Sequence, residues 1–363
     1  MAWRFHNPVA VTFGIGTLDR LAAALGSRSA VLVAFPEAAP LGHVDAVKRQ
    51  LGPALAGVVD DIEPNPDVVH LARLHARFWD EFAASEVIVA LGGGSTLDTA
   101  KILAVTPASG DFADLVSALA ANETFVPGNA KALIAIPTTA GTGSEVTPWA
   151  TVWDRASGRK HSLHLRETWP EAAIVDPTLT ASAPQAVTLQ SGLDALSHAL
   201  EAIWNVNANP VSDALAVSAS RRMLRTLPRL VDHLGDVALR EDAALAALTA
   251  GLAFSNTRTA LAHSISYEMT LRHGLPHGIA CSFTLPLVLE RAIGRRVDRD
   301  AVLAQVFDVP LGRAPEHLAK WLEALGVSTR FESYGVPAYE SDAMIESALS
   351  GARGRNFIGA TPG

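Results

Sequence analysis

A single cysteine, Cys281, excludes any intramolecular disulfide, so nothing in the sequence asks for an oxidising compartment. Charge is scarce as well. Asp, Glu, Lys and Arg make up 18% of the 363 residues against 49% hydrophobic, a balance that excludes the disordered class. Basic residues are the minority, 29 against 37 acidic, and the net charge is −8. No Lys/Arg run is longer than a pair, Arg221-Arg222 and Arg295-Arg296 being examples, which argues against nucleic-acid binding by phosphate neutralisation. No apolar run is long enough to span a bilayer, and Met1 to Pro8 lacks the apolar core of a signal peptide. The expectation is a cytoplasmic enzyme whose partners are small molecules, with neither membrane nor nucleic acid among them.

What is present reads as two domains, because the chain is long for one core. Within residues 1–180, strands and helices alternate. Residues 30–34, 86–91 and 132–137 are short aliphatic runs, and residues 67–83 have helical periodicity. This is an α/β pattern with a mainly parallel sheet. From about Ala183 the character changes, with helical runs at residues 185–203, 210–233, 240–255 and 315–325. Residues 181–363 are therefore expected to form an all-helical domain, packed closely on the first with a cleft between them.

Two loops in the first domain carry the marks of a nucleotide site. The strand ending at Leu91 runs into Gly92-Gly93-Gly94-Ser95, and the helix that follows carries Asp98 and Lys101. Glycines at a strand-to-helix turn let the backbone approach a ligand, and the helix start offers N–H groups and a positive dipole end to a phosphate. The run is not the Gly-x-Gly-x-x-Gly fingerprint, and alone it is a weak signal. A second loop, Pro137-Thr138-Thr139-Ala140-Gly141-Thr142-Gly143-Ser144-Glu145, also follows a strand and suits the nicotinamide and ribose. Its plain reading is a Ser/Thr/Gly loop that caps a helix.

The second domain carries a metal-type constellation. Asp194 and His198 are four apart in an apolar helical stretch, so they share one helix face, and a buried carboxylate there needs a partner. A divalent cation held with His198, His263 and His277 supplies one. Each of the 12 histidines taken alone reads better as a surface or core residue, but the joint pattern resists that reading. By itself the set serves metal-dependent hydrolysis as readily as redox chemistry. A hydrolase, however, has no need of two glycine-rich loops after strands.

Taken together, the glycine loop with Asp98 and Lys101, the loop from Pro137 to Thr147 and the Asp194/His198/His263/His277 set resemble the iron-containing, or group III, alcohol dehydrogenase family. The resemblance runs from Phe13-Gly14-Ile15-Gly16 through Glu63-Pro64-Asn65-Pro66 to the histidines. It implies a dehydroquinate synthase-like architecture: an α/β dinucleotide-binding domain, a helical domain, and a catalytic divalent metal in the cleft between them. Carried over, Asp194, His198, His263 and His277 match the iron ligands. Gly93, Gly94 and Ser95 match the pyrophosphate contacts, with Gly92 and Asp98 in the same motif; Thr138, Thr139 and Thr142 match residues around the cofactor. Lys160 takes the place of a lysine that reaches it. The resemblance also implies Lewis-acid polarisation of an aldehyde, or the reverse on an alcohol, with hydride carried by NADH or NADPH. Fe(II) is inferred from the family alone, since three imidazoles and a carboxylate also fit Zn(II). A homodimer is the expected assembly.

Two departures narrow the reading. Tyr267 stands where most of the family has a further histidine that assists proton transfer, which leaves Tyr267, His273, or water with a ribose hydroxyl as proton source. Phe35 stands where the family often has an Asp that binds the adenosine ribose, so a 2′-phosphate meets no repulsion and NADPH is admitted. With Ser197 to Pro210 and His263 to Tyr267, these departures resemble the phosphonoacetaldehyde reductase branch, which makes 2-hydroxyethylphosphonate. A phosphonate needs cationic or amide donors, for which Arg258, Arg355 and Asn205 are the candidates. A surface or ion-pair role explains Arg258 equally well. A simple short-chain aldehyde and maleylacetate are the alternative substrates.

Overall fold

The computed structural model describes residues 2–121, 123 and 125–360. It divides into two compact units, Pro8–Thr139 with Ser144–Ala183, and Met1–Asn7 with Ala140–Gly143 and Pro184–Gly363. Among the described residues no helix is long and apolar enough to cross a membrane.

The first unit is built on six parallel strands: β1 (Ala10–Phe13), β2 (Ala30–Ala34), β3 (Leu55–Val59), β4 (Val87–Gly92), β5 (Ala132–Pro137) and β6 (Ala172–Val175). Their order across the sheet is β1-β6-β5-β4-β2-β3, every pairing parallel. Every residue of β2 and of β4 is buried, which is why both read as unbroken apolar runs. Alternate side chains feed two cores. Leu32, Ala34, Val89 and Leu91 enter one, while Val31, Val33, Ile88 and Ala90 enter the other. Because β2 pairs with β3 on one side and β4 on the other, the strand order reverses between β2 and β4. Loops at the carboxyl ends of strands flanking such a reversal are where open α/β sheets bind nucleotides. Helix α1 (Val68–Phe82) starts where the Asp67 carboxylate accepts from Val69 N, and α2 (Gly94–Leu103) follows β4 directly.

The second unit is helical. Its central helix α3 (Gln185–Ile203) is buried from Gly192 onward, and helices α4 (Pro210–Asp232), α5 (Val237–Thr257), α6 (Leu261–His273) and α7 (His277–Ser282) follow. Later helices include α8 (Ala338–Ser350). Asn209 and Ser212 form a capping box with Pro210 at the first helical position, which fixes the start of α4 after the Asn-rich turn. Two close approaches set the site. A Cβ on Gly278 would lie 1.9 Å from Gln190 O, so α7 packs backbone to backbone on α3. Gly143, at φ 60°, packs within 2.6 Å of Gly251 Cα by the same measure. Gly278→Ala is therefore expected to cost about 1–3 kcal/mol, read as a lower thermal midpoint, and to weaken metal retention by displacing His277; an unchanged midpoint would show that α7 shifts freely.

Candidate metal centre and nucleotide cradle

In the α/β unit, β4 delivers Gly92 and Gly93 to the start of α2, whose N-cap is Gly93 with no side-chain cap. A Cβ on Gly92 would fall 2.4 Å from Thr96 Oγ1, and one on Gly93 would meet Thr139 Cγ2 and Oγ1 at 3.2 Å. Only glycine leaves this approach open, and the uncapped helix start offers its N–H groups to an anion, so a pyrophosphate fits the residues present. Thr138 N donates to Gly92 O at 3.0 Å, which ties the second loop to the first at its base. Ser95 Oγ accepts from Asn65 N at 3.1 Å.

Asp98 sits one turn into α2, and both of its oxygens are engaged by protein: Oδ1 accepts from Ser144 Oγ at 2.8 Å and Oδ2 from Thr151 N at 2.9 Å. The fully buried Lys101 donates to Ser144 O (2.7 Å), Ser144 Oγ (2.6 Å) and Trp149 O (2.8 Å), and burial pushes its amine down to about 8. These two side chains hold Ser144 and the strand after it. Lys160 lies opposite Trp153 in the Trp149–Asp154/Arg159–His164 hairpin, with Nζ 5.4 Å from the ring centroid. Thr142 falls in the segment Ala140–Gly143, which clusters with the helical unit.

In the helical unit, three imidazoles converge on one carboxylate oxygen. Asp194 Oδ1 has His263 Nε2 at 3.3 Å, His198 Nε2 at 3.7 Å and His277 Nε2 at 3.7 Å. Donors that share one tetrahedral divalent ion at about 2.1 Å lie about 3.4 Å from one another, so the spacing fits a common metal. The His198 ring is held flat, stacked on Phe254 at 4.0 Å and on His263 at 4.6 Å. Burial pushes the Asp194 carboxyl up, but the surrounding imidazoles outweigh it and hold the group well below the usual carboxylate range. The same burial pushes His198 down to about 4 against the pull of Asp194, so its imidazole is neutral at physiological pH, as a ligand must be.

Three further residues stand near this centre, and of these Glu201 was assigned no role by the sequence reading. Glu201 is fully buried and accepts from His263 Nδ1 (2.7 Å), Ala260 N (2.8 Å) and His263 N (3.2 Å). That bond places a proton on Nδ1 and leaves Nε2 facing Asp194, the carboxylate–histidine pairing common behind metal ligands; burial pushes the imidazole down, but Glu201 and Asp194 outweigh it and raise the group above its ordinary value. The signal was available: Asp194, His198 and Glu201 follow the i, i+4, i+7 spacing of one helix face. Cys281 is buried with Sγ 3.4 Å from Asp194 Oδ1, and it belongs to the metal-capable group Asp194, His263, His277 and Cys281. Arg353, the third, lies over the Tyr267 ring at 5.3 Å and donates to Thr259 Oγ1 at 2.5 Å.

The remaining candidates separate. Tyr267 is half-buried one helical turn beyond His263 with its hydroxyl enclosed, and its phenol is pushed up to about 12, chiefly by burial. His273 lies at the end of α6, 3.9 Å from Glu340, and is not brought into the cluster. The Asn205 amide donates to Arg258 O at 3.1 Å, so it braces the loop before α6. Arg258 is exposed in that loop, and Arg355 is exposed with Nη1 donating to Ser350 O at 2.9 Å.

Residues 8–177 match the iron-containing alcohol dehydrogenase model, and residues 188–361 match the C-terminal model of the same Fe-containing family. The chain belongs to the iron-containing alcohol dehydrogenase family. It is 37% identical over 268 residues to the probable alcohol dehydrogenase EutG of Salmonella typhimurium, an alignment covering 67% of either chain. It is 30% identical over 360 residues to the NAD-dependent methanol dehydrogenase of Bacillus methanolicus, covering 95% of this chain and 93% of that one. Among solved structures, sulfoacetaldehyde reductase from Bifidobacterium kashiwanohense in complex with NAD+ matches with a TM-score of 0.90 at 28% identity, over 99% of this chain and 95% of that one. This chain is thus an oxidoreductase of the iron-type alcohol dehydrogenases, built from the parallel-sheet and helical domains of its family.

Proposed function

We propose that this iron-type alcohol dehydrogenase reduces phosphonoacetaldehyde to 2-hydroxyethylphosphonate with NADH or NADPH. The observation that carries the substrate is Arg258. Its φ of 68° and ψ of 172° lie in a region that is nearly glycine's alone and costs another residue of order 1–3 kcal/mol. Neighbours hold it there, Asn205 donating to its carbonyl and Asn207 Nδ2 donating to Thr257 O at 3.2 Å. Its exposed guanidinium has no carboxylate in ion-pair distance among the described residues. A strained arginine without a counter-charge, five residues before ligand candidate His263, supports an anionic substrate. Sulfoacetaldehyde is the second reading, favoured by the sulfoacetaldehyde reductase match: both compounds are two-carbon aldehydes with an anionic head.

Held by Asp194, His198, His263 and His277, a divalent metal supplies Lewis-acid polarisation of the carbonyl, and the nicotinamide supplies hydride. Iron follows from the family, while the donor set takes Zn(II) as readily. Glu201 keeps the His263 ring oriented, and Gly93, Gly94, Ser95 and the start of α2 hold the pyrophosphate. A phenol near 12 keeps its proton at neutral pH yet remains more acidic than an alkanol, so Tyr267 fits the donation of a proton to the product oxygen. Phe35 directly follows β2 without a carboxylate to repel a 2′-phosphate, which supports use of NADPH beside NADH.

Arg258→Gly separates strain from function. Glycine adopts positive φ freely, so the variant is expected to gain about 1 kcal/mol of stability. Its kcat/KM on phosphonoacetaldehyde should fall about tenfold or more relative to propionaldehyde. Thermal denaturation and two-substrate kinetics read the two effects, and unaltered selectivity would remove Arg258 from substrate recognition.

A further inference from the structure

We infer that Arg353, rather than Arg355, is the second cation that receives the anionic head group, so that Arg258 and Arg353 flank Thr259 as a two-guanidinium oxyanion site. This rests on the anionic-aldehyde reading above and names the residue that sets its selectivity. Arg353 is half-buried and no carboxylate lies in ion-pair distance among the described residues, an arrangement that is costly unless a ligand brings the counter-charge. One Nη is engaged, donating to Thr259 Oγ1 at 2.5 Å, which leaves the rest of the fork for an acceptor of tetrahedral geometry. Its guanidinium lies 5.3 Å over the Tyr267 ring, and Tyr267 is one helical turn from His263, so this cation stands beside the metal-ligating face of α6.

The segment that carries it is built to stay in place. Asn356 Nδ2 donates to Thr259 O at 2.8 Å, Val206 N donates to Asn356 O at 2.8 Å, and Ile358 N donates to Trp204 O at 3.2 Å. A Cβ on Gly354 would lie 2.0 Å from Ala348 O, so the chain turns tightly against α8 immediately after Arg353. The outcome is a short C-terminal clasp, pinned to the end of α3, that presents one arginine to the 257–260 loop. Arg355, two residues on, points its guanidinium to the Ser350 carbonyl instead.

The test compares the metal-loaded wild type with Arg353→Met and Arg353→Lys, using phosphonoacetaldehyde, sulfoacetaldehyde and propionaldehyde, together with calorimetric binding of methylphosphonate. In Arg353→Met the ratio of kcat/KM on phosphonoacetaldehyde to that on propionaldehyde is expected to fall about 10- to 100-fold, mainly through KM. Methylphosphonate affinity should fall in parallel, and Arg353→Lys should recover part of both. The two anionic aldehydes in the panel distinguish a phosphonate from a sulfonate as the preferred head. Unchanged selectivity and unchanged methylphosphonate binding in Arg353→Met would overturn the assignment and leave Arg353 as a brace for Tyr267 and Thr259. A wild type that shows no preference for either anionic aldehyde would instead defeat the anionic-substrate reading itself.

Discussion

His263→Ala is expected to lose its metal and, with it, at least about a thousandfold in turnover, while nicotinamide cofactor binding survives. The reason lies in how His263 is held. Its Nδ1 is fixed by Glu201 at 2.7 Å and its Nε2 faces Asp194 Oδ1 at 3.3 Å, so the ring joins the supporting carboxylate to the ligand set. Truncation removes one of four donors and leaves two buried carboxylates, Asp194 and Glu201, without that partner. Elemental analysis after dialysis reads the metal, and cofactor fluorescence titration reads the nucleotide site. A variant that keeps stoichiometric metal would exclude His263 from the ligands.

Glu201→Gln is the second large effect, because one carboxylate accepts three N–H groups. The isosteric amide keeps an acceptor on one side, but its NH2 faces donors on the other, either His263 N alone or Ala260 N together with His263 Nδ1. The expected result is a 10- to 100-fold loss of metal affinity, of the order found when partners behind metal ligands are removed. Chelator competition measures it directly. Metal affinity equal to that of the wild type would show that Glu201 braces the loop before α6 and does nothing for the ligand.

Much of this centre was legible in the sequence because it follows local periodicity. An apolar helix with Asp194 and His198 four apart declares a shared face, and the helix runs over the expected residues, Gln185–Ile203. The same period reaches Glu201, which reads in isolation as an ordinary polar helix residue; only its burial against Ala260 and His263 gives it a role. Arg353 illustrates the opposite case. It is distant from Thr259 and Tyr267 in sequence, and nothing local distinguishes it from Arg355 two residues on. The clasp made by Asn356, Val206 and Ile358 decides which arginine turns inward, and such long-range backbone contacts have no signature in a single sequence. Asp98 marks a third kind of limit. The motif points to the cofactor, whereas both oxygens accept hydrogen bonds from Ser144 and Thr151, a bracing role that depends on where the second loop lands. In the sheet, β2 and β5 are legible as unbroken apolar runs, yet strand order needs the pairing itself.

The measurement that bears most directly on the account is oxidation of NADH and of NADPH by the Fe(II)-reconstituted protein with phosphonoacetaldehyde, sulfoacetaldehyde and propionaldehyde, before and after chelation. The account predicts turnover that chelation abolishes and Fe(II) restores, with kcat/KM on an anionic aldehyde at least about tenfold above that on propionaldehyde. Turnover undiminished by chelation, or equal kcat/KM on charged and uncharged aldehydes, would contradict it.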